Sequence, residues 1–356
     1  MVGIGNIVGI LTALQLGGPG VLPWMWLAAF IGSLLKYCEV YLGLKYRVRN
    51  HSNGYDGGPM YFVQKAFTGN WLPIAICFLL CIYGAEIYQF KVVLDVVATN
   101  WALDRVIVLL SLLALVLYAA SGGIARVAKL CSWLLPLFMS VYIIMCIWII
   151  GHHISALPHA IATALLSAFS GHAATGAFMG STLSLAIQHG MAGACYSADI
   201  GIGYDSIIHS ESRSLDPDKQ ARLAILGVIV DNFLSTISVV VLLLTGGWQE
   251  PMTGAFLMQQ ALDSYFPAIH IIFPIFLFVL GYTTLISYFT VGLKCAQYIH
   301  PAKGRAMYFF YASSAFILFS FVEQQEALLI MRFAGALLLI INLCSIFRLR
   351  REIAFV

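Results

Sequence analysis

Apolar runs of about 18 or more residues recur along almost the whole of this chain, and no soluble core can absorb so many. They lie near 21–44, 72–98, 104–120, 127–151, 160–188, 223–245, 268–293, 306–322 and 327–347. A shorter run, near 3–16, falls below the ~20 helical residues that a bilayer core demands. Of the 356 residues, 61% are hydrophobic and only 10% are charged. An ordinary soluble domain has about 45–50% apolar and about 25% charged residues. The solvent is therefore a bilayer. The runs are long and continuous, whereas barrel strands would read as alternating segments of about ten residues. The fold class that follows is an all-α polytopic membrane protein with nine full spans and one partial one. Soluble enzymes, nucleic-acid binders and disordered scaffolds are excluded. A net charge of +3 is too small to imply a polyanionic partner. The eight cysteines have no fixed spacing and mostly sit inside apolar runs, so they read as small buried hydrophobes.

Lysine and arginine set the direction of the spans. Lys45, Arg47 and Arg49 follow the second segment, and Arg126 and Lys129 the fourth. Arg213, Lys219 and Arg222 follow the sixth, Lys294, Lys303 and Arg305 the eighth, and Arg348, Arg350 and Arg351 the tenth. The stretches 151–160, 246–267 and 321–329 contain no lysine or arginine, and only Arg105, beside Asp104, breaks the alternation. The five basic loops are expected in the cytoplasm, with the C-terminus inside. The first segment then runs outward without a cytoplasmic half, a costly arrangement in lipid. It implies either a lost N-terminal piece or a start assigned too late. No basic n-region marks the start as a cleavable signal. The polar stretch SRSLDPDKQARL opens the second half. A two-fold repeat, about 1–151 and about 157–347, is expected within one transmembrane domain.

A few spans carry residues that do not belong in lipid. GIGNIVG, residues 3–9, combines Gly3, Gly5 and Gly9 with Asn6. It reads either as an opened helix whose freed backbone groups hold an ion and a carboxylate, or as close packing through small residues. AFSGHAATGAFMGS, residues 168–181, repeats the pattern in the second half with Gly171, His172, Thr175, Gly176 and Gly180. Paired glycine interruptions of this kind point to a transporter site at mid-membrane. In GYTTLISYFTVG, residues 281–292, Thr283, Thr284 and Ser287 share a helical face. Their oxygens suit a small hard cation, or simply bond the carbonyl one turn back. Glu86, Gln89, Lys91 and Asp95 are polar residues inside one span. Lys91 is expected to snorkel or to pair with Asp95, and Lys36 to pair with Glu39 one turn on. Arg332 is expected to snorkel outward or to face the bundle interior, and Asp231 and Asn232 to bond neighbouring helices. No metalloprotease, nucleophile-elbow or phosphate-loop motif is present, which argues against an enzyme.

These residues carry a family resemblance. GIGNIVGILTALQLGGPGVLPWMWLAAFIGSLLKYCEVYLGLKYR, GYDGGPMYFVQKAF, AFSGHAATGAF, VDNFLSTISVVVLLLTGGW and GYTTLISYFTVG run in order from residue 3 to about 345. They resemble the alanine or glycine:cation symporter family, most specifically in the GGPGVLPWMW block and in GGPMYF. The resemblance implies a LeuT-type fold of five-plus-five inverted repeats with its first core helix truncated. It also implies sodium-coupled symport of a small neutral amino acid, alanine or glycine, by alternating access in a bacterial inner membrane. It places the substrate against Gly3, Gly5, Asn6, Gln89, Gly176, Phe178, Thr283 and Tyr288. The coupling sodium would lie on Thr284, Ser287 and the backbone near Gly3 and Asn6.

The chain departs from the family pattern at several charged positions. Gly193 replaces an arginine, and Ala198-Asp199-Ile200 replaces Asn-Glu-Ala. Pro23 stands for a phenylalanine, Glu86 for an asparagine, Tyr288 for a tryptophan and Arg332 for an aspartate. Lys91 adds a further charge. Two alternatives therefore stand beside sodium symport: a truncated, non-transporting homologue, and a proton-coupled carrier using Glu86.

Overall fold

The computed structural model describes residues 3–50, 54–169 and 183–355, apart from the side chains of 123–131, 133 and 134. A 3-10 turn, Ile4–Asn6, leads into α1 (Val8–Gly17), followed by α2 (Val21–Lys45). A short hairpin, β1 (Val48–Arg49) and β2 (Tyr55–Asp56), pairs Val48 with Asp56 and Arg49 with Tyr55. Then come α3 (Pro59–Ala66), α4 (Trp71–Gly84), α5 (Ile87–Asn100), α6 (Arg105–Ser121), α7 (Gly123–His152) and α8 (Leu157–Ser167). The second half holds α9 (Leu183–Ser197), α10 (Tyr204–Ser210), α11 (Pro217–Thr245) and α12 (Gly254–Asp263). It ends with α13 (Ile269–Ile299), α14 (Gly304–Phe319) and α15 (Gln324–Arg348). Among the described residues six helical stretches are long and apolar enough to cross a membrane, and the run 71–100 counts as one of them.

Local chemistry explains the boundaries. Asp104 caps α6 by accepting from Val106 N at 2.9 Å and Ile107 N at 3.1 Å. Asp216 caps α11 in the same way, with Pro217 in the first turn. Gly246, left-handed at φ 76°, ends α11. The third span is not one helix as expected: it breaks at Ala85 and Glu86, and Glu86 takes φ 46°. A non-glycine residue in that region is uncommon and costs of the order of 1–3 kcal/mol. The apolar run continues through the break, so periodicity gave no sign of it.

α2 packs on α11, α9 and α10; α13 packs on α4, α5 and α7. Gly84 shows how close α4 and α13 come, since a Cβ there would stand 2.8 Å from the Tyr288 carbonyl oxygen. The outward faces are apolar: Phe310, Phe333, Leu329 and Ile144 are exposed on α14, α15 and α7. Meanwhile Lys36, Glu39, Glu86, Asp199, Asp205 and Asp231 are buried. Apolar side chains outside and charges within form the arrangement a bilayer stabilises. The protein is a multi-pass membrane protein.

The described loop contacts fall into two groups. At one end Arg47 donates to the carbonyls of Ser210, Ser212 and Ser214. Lys294 there joins Asp56 and Glu211, and Lys45 joins Glu352. At the other end Gln15 donates to the carbonyls of Glu250 (3.0 Å) and Met252 (2.8 Å). Asp95 gathers Lys91, Arg105 and Gln324 there. The Lys91–Asp95 pair is the expected one.

Candidate functional site

The 3-10 turn before α1 is where the glycines open the backbone. Gly3 N donates to Asn6 Oδ1 at 3.1 Å, and Ile4 N to Gln89 Oε1 at 3.2 Å. Asn6 Nδ2 donates to the Asp231 carbonyl at 3.4 Å. A side-chain amide from α5 thus replaces a helical partner of the opened segment. Gly3 packs so closely that a Cβ would lie 3.1 Å from Thr284 Oγ1 and 3.4 Å from Gln89 Oε1. Gly5 and Gly9 face the ring of Tyr196, with Cβ positions 3.4 Å and 3.5 Å from it. Three of the expected substrate residues, Gly3, Asn6 and Gln89, therefore meet at this turn, with Thr284 against Gly3, while Gly5 faces Tyr196.

The hydroxyl-bearing face of α13 follows the simpler of its two readings in part. Thr284 Oγ1 donates to the Leu280 carbonyl at 2.9 Å, and Ser287 Oγ to Thr283 at 2.9 Å. Thr283 donates to Val279 and Leu280. Each oxygen keeps acceptor capacity while its proton is tied to its own helix. Thr284 touches the opened segment, whereas Ser287 is half-buried. Gly176, Phe178 and the remainder of the second glycine-rich stretch from residue 170 on lie outside the described residues.

Tyr288 belongs to a different centre. Its hydroxyl donates to Asp199 Oδ2, and Tyr83 donates to Asp199 Oδ1 at 3.0 Å. Tyr204 stacks on Tyr288 with ring centroids 4.3 Å apart. Lys36, fully buried, donates to the Asp199 carbonyl at 2.6 Å and pairs with Asp205. The expected Lys36–Glu39 partnership is thus replaced by a contact reaching across to the segment after α9. That segment leaves helical geometry at Asp199, φ 50°, then Gly201, φ 72°, and Gly203, φ 97°. Glu39 lies beside Lys36, Asp205 and the Ser206 backbone.

Two further residues join the opened segment that sequence reasoning did not place there. Glu86, at the helix break, accepts from Tyr196 through Oε1, while Oε2 has no hydrogen-bond partner among the described residues. Asp231 offers its carbonyl to Asn6, and both of its carboxyl oxygens lack a hydrogen-bond partner among the described residues. Their presence inside apolar spans was the available signal. A cleft of about 440 Å³ opens from the Gln15 end. It is lined by Thr12, Gln15, Tyr88, Glu250 and Gln324, and its inner wall, Tyr88, packs edge-on against Tyr196. Among the described residues no cluster of three or more His, Cys, Asp or Glu side chains could hold a metal ion. The opened segment instead offers backbone, amide and hydroxyl groups, a donor set for reversible contacts with a small ion and a zwitterion.

Comparison with known proteins agrees with this architecture. The chain is 30% identical to the sodium/alanine symporter AgcS of Methanococcus maripaludis, over 90% of this chain and 72% of that one. It is 30% identical to an uncharacterized transporter of Haemophilus influenzae, over 86% of this chain and 69% of that one. It is 27% identical to the probable sodium/glutamine symporter GlnT of Bacillus subtilis, over 99% of this chain and 74% of that one. Its fold matches the inward-facing conformation of Mhp1, with a TM-score of 0.59 at 13% identity, covering 99% of this chain and 76% of that one. This is a transporter of LeuT-type fold and not an enzyme. The model of the sodium:alanine symporter family matches residues 1–356, and the chain belongs to that family.

Proposed function

We propose that the protein carries a small neutral amino acid, alanine or glycine, across a bacterial inner membrane together with sodium. The observation that carries the reading is the convergence of Gly3, Ile4 and Asn6 with Gln89 and Thr284 around an interrupted helix. The start of α1 presents backbone N–H groups and the positive end of a helix dipole, which suits a substrate carboxylate. Thr284, with acceptor capacity to spare, and the backbone near Gly3 and Asn6 are the hard oxygens that suit sodium; Ser287 is the second expected hydroxyl. The backbone carbonyl of Asp231, to which Asn6 donates, adds a further hard oxygen beside the opened segment. The rings of Tyr196 and Tyr88 crowd the glycines, which restricts the side chain to about the size of a methyl group.

In this reading the basic-loop end faces the cytoplasm, as does the C-terminus. Substrate enters through the cleft at Gln15, sodium and the carboxylate order the opened segment together, and the bundle rocks to release both at the basic end. Gly176 and Phe178 complete the pocket, and the two repeats are about 1–151 and 157–347. Glu86, buried and with one carboxylate oxygen unpartnered, favours a second reading in which a proton replaces sodium. Radiolabelled alanine uptake into proteoliposomes tests both. An inward sodium gradient is expected to drive accumulation, and a proton gradient without sodium is not. Accumulation driven by protons alone would move the coupling to Glu86, and no accumulation under either gradient by folded protein would reject transport.

A further inference from the structure

Arg332 stands in the third turn of α15, inside a membrane-spanning helix. The residue is half-buried; its Nε and Nη2 atoms are buried, and among the described residues no hydrogen bond reaches them. The titratable groups acting on it are Tyr88, Tyr196 and His189, and none of these is a carboxylate. A guanidinium does not shed its charge. A buried ion without a partner costs several kcal/mol. An intramembrane charge of this kind marks a functional site.

The side chain lines a cavity of about 280 Å³ between α9 and α15. Met191, Cys195, Ile200 and Leu339 make its walls apolar, and Ala336, also lining it, is exposed. Its two tyrosine hydroxyls are committed, Tyr83 to Asp199 and Tyr196 to Glu86. Among the described residues no anionic side chain lines it, so none of them matches the ammonium group of an amino acid. The cavity is also much larger than the ~30 Å³ that a single water occupies in the liquid, so a monatomic anion would leave most of the walls without contact. The planar fork of a guanidinium matches a carboxylate.

From these features we propose that the α9–α15 cavity binds a small organic monocarboxylate with an apolar body, its carboxylate held by Arg332. The site is separate from the opened segment but shares a wall with it. Tyr196 lines the cavity and also faces Gly5 and Gly9. An occupant therefore rests on the ring that bounds the transport site.

The test is calorimetric titration of the full chain in nanodiscs with 4-methylpentanoate and its neutral isostere 4-methylpentanamide. The acid is expected to bind saturably and the amide about tenfold more weakly or worse. Arg332→Gln should lose the acid by a similar factor. Ala336→Phe, which fills the cavity and leaves the guanidinium in place, should lose it too. Binding should persist without sodium and in Gln89→Ala, so a failed transport reading leaves this result interpretable. Oleate in the disc that displaces 4-methylpentanoate would support the same chemistry with a membrane source for the ligand. Equal affinity for acid and amide, competition by chloride, or full binding by Ala336→Phe would overturn the proposal. If Arg332→Gln does not fold, protection of Cys195 from alkylation by the acid and not by the amide keeps the test decisive, and equal protection by both rejects it.

Discussion

Two centres lie within this bundle, and they are built from opposite materials. The opened segment at Gly3–Asn6 is held by neutral contacts: two backbone N–H groups on the amide oxygens of Asn6 and Gln89, and one asparagine amide on a carbonyl. The centre around Asp199 is ionic and aromatic, with Lys36, Asp205, Tyr83 and Tyr288 locked in place. A neutral hydrogen bond is worth only about 0.5–1.5 kcal/mol net, so a ligand can replace it. A buried ion pair with one partner removed costs several times that. The first centre is suited to exchange partners, and the second to hold α2, α4, α13 and the turn after α9 in register.

The largest expected difference comes from Lys36→Met, which leaves Asp199, Asp205 and Glu39 without their cation. A loss of about 3–5 kcal/mol is expected, seen as collapse of the thermal transition in detergent. Adding Asp205→Leu should restore part of it, because removing both charges is milder than stranding one. A single variant as stable as the parent would break the contrast. Gln89→Ala should do the reverse: alanine affinity falls by roughly 10–100-fold, the equivalent of about 1.5–3 kcal/mol, while the melting temperature drops far less than for Lys36→Met. Tyr288→Phe sharpens the boundary between the centres. It removes one donor to Asp199 and should cost roughly 1.5 kcal/mol of stability, with alanine affinity nearly unchanged. A strong effect on affinity would return Tyr288 to the substrate pocket.

The smallest effect lies outside both centres. The Tyr46 hydroxyl, then Lys45, hold the Glu352 carboxyl below its usual range. A carboxyl depressed on folding stabilises at pH above its unfolded value, and that contribution disappears as pH falls through the folded value. The contact between α2 and the C-terminal turn is therefore complete at neutral pH and weakens only on acidification. For a pair this exposed, Glu352→Gln should cost at most ~1 kcal/mol, measurable as a small shift in melting temperature that vanishes at acid pH.

The neutral centre was more legible in the sequence than the ionic one. Glycines beside an asparagine in an apolar run, and hydroxyls at helical spacing, are local patterns. They pointed to Gly3, Asn6 and Thr284, which the structure brings together, and to Gly5, which it sets against Tyr196. The ionic centre depends on partners 163 residues apart, Lys36 and Asp199. Helical spacing offered Glu39 instead, a nearer acid on the same helix. The break at Glu86 was hidden because the residues on both sides of it are apolar. Arg332 read equally well as snorkelling or as facing inward, and only the packing of α9 against α15 shows the cavity that it lines.

The most direct measurement is equilibrium binding of radiolabelled alanine to the purified full chain, with and without sodium, in the parent, Gln89→Ala and Thr284→Ala. The account predicts saturable binding that strengthens with sodium, is weakened by Gln89→Ala in any salt, and loses its sodium dependence in Thr284→Ala. Binding that ignores sodium and survives both substitutions would contradict it, and would move the substrate away from the opened helix.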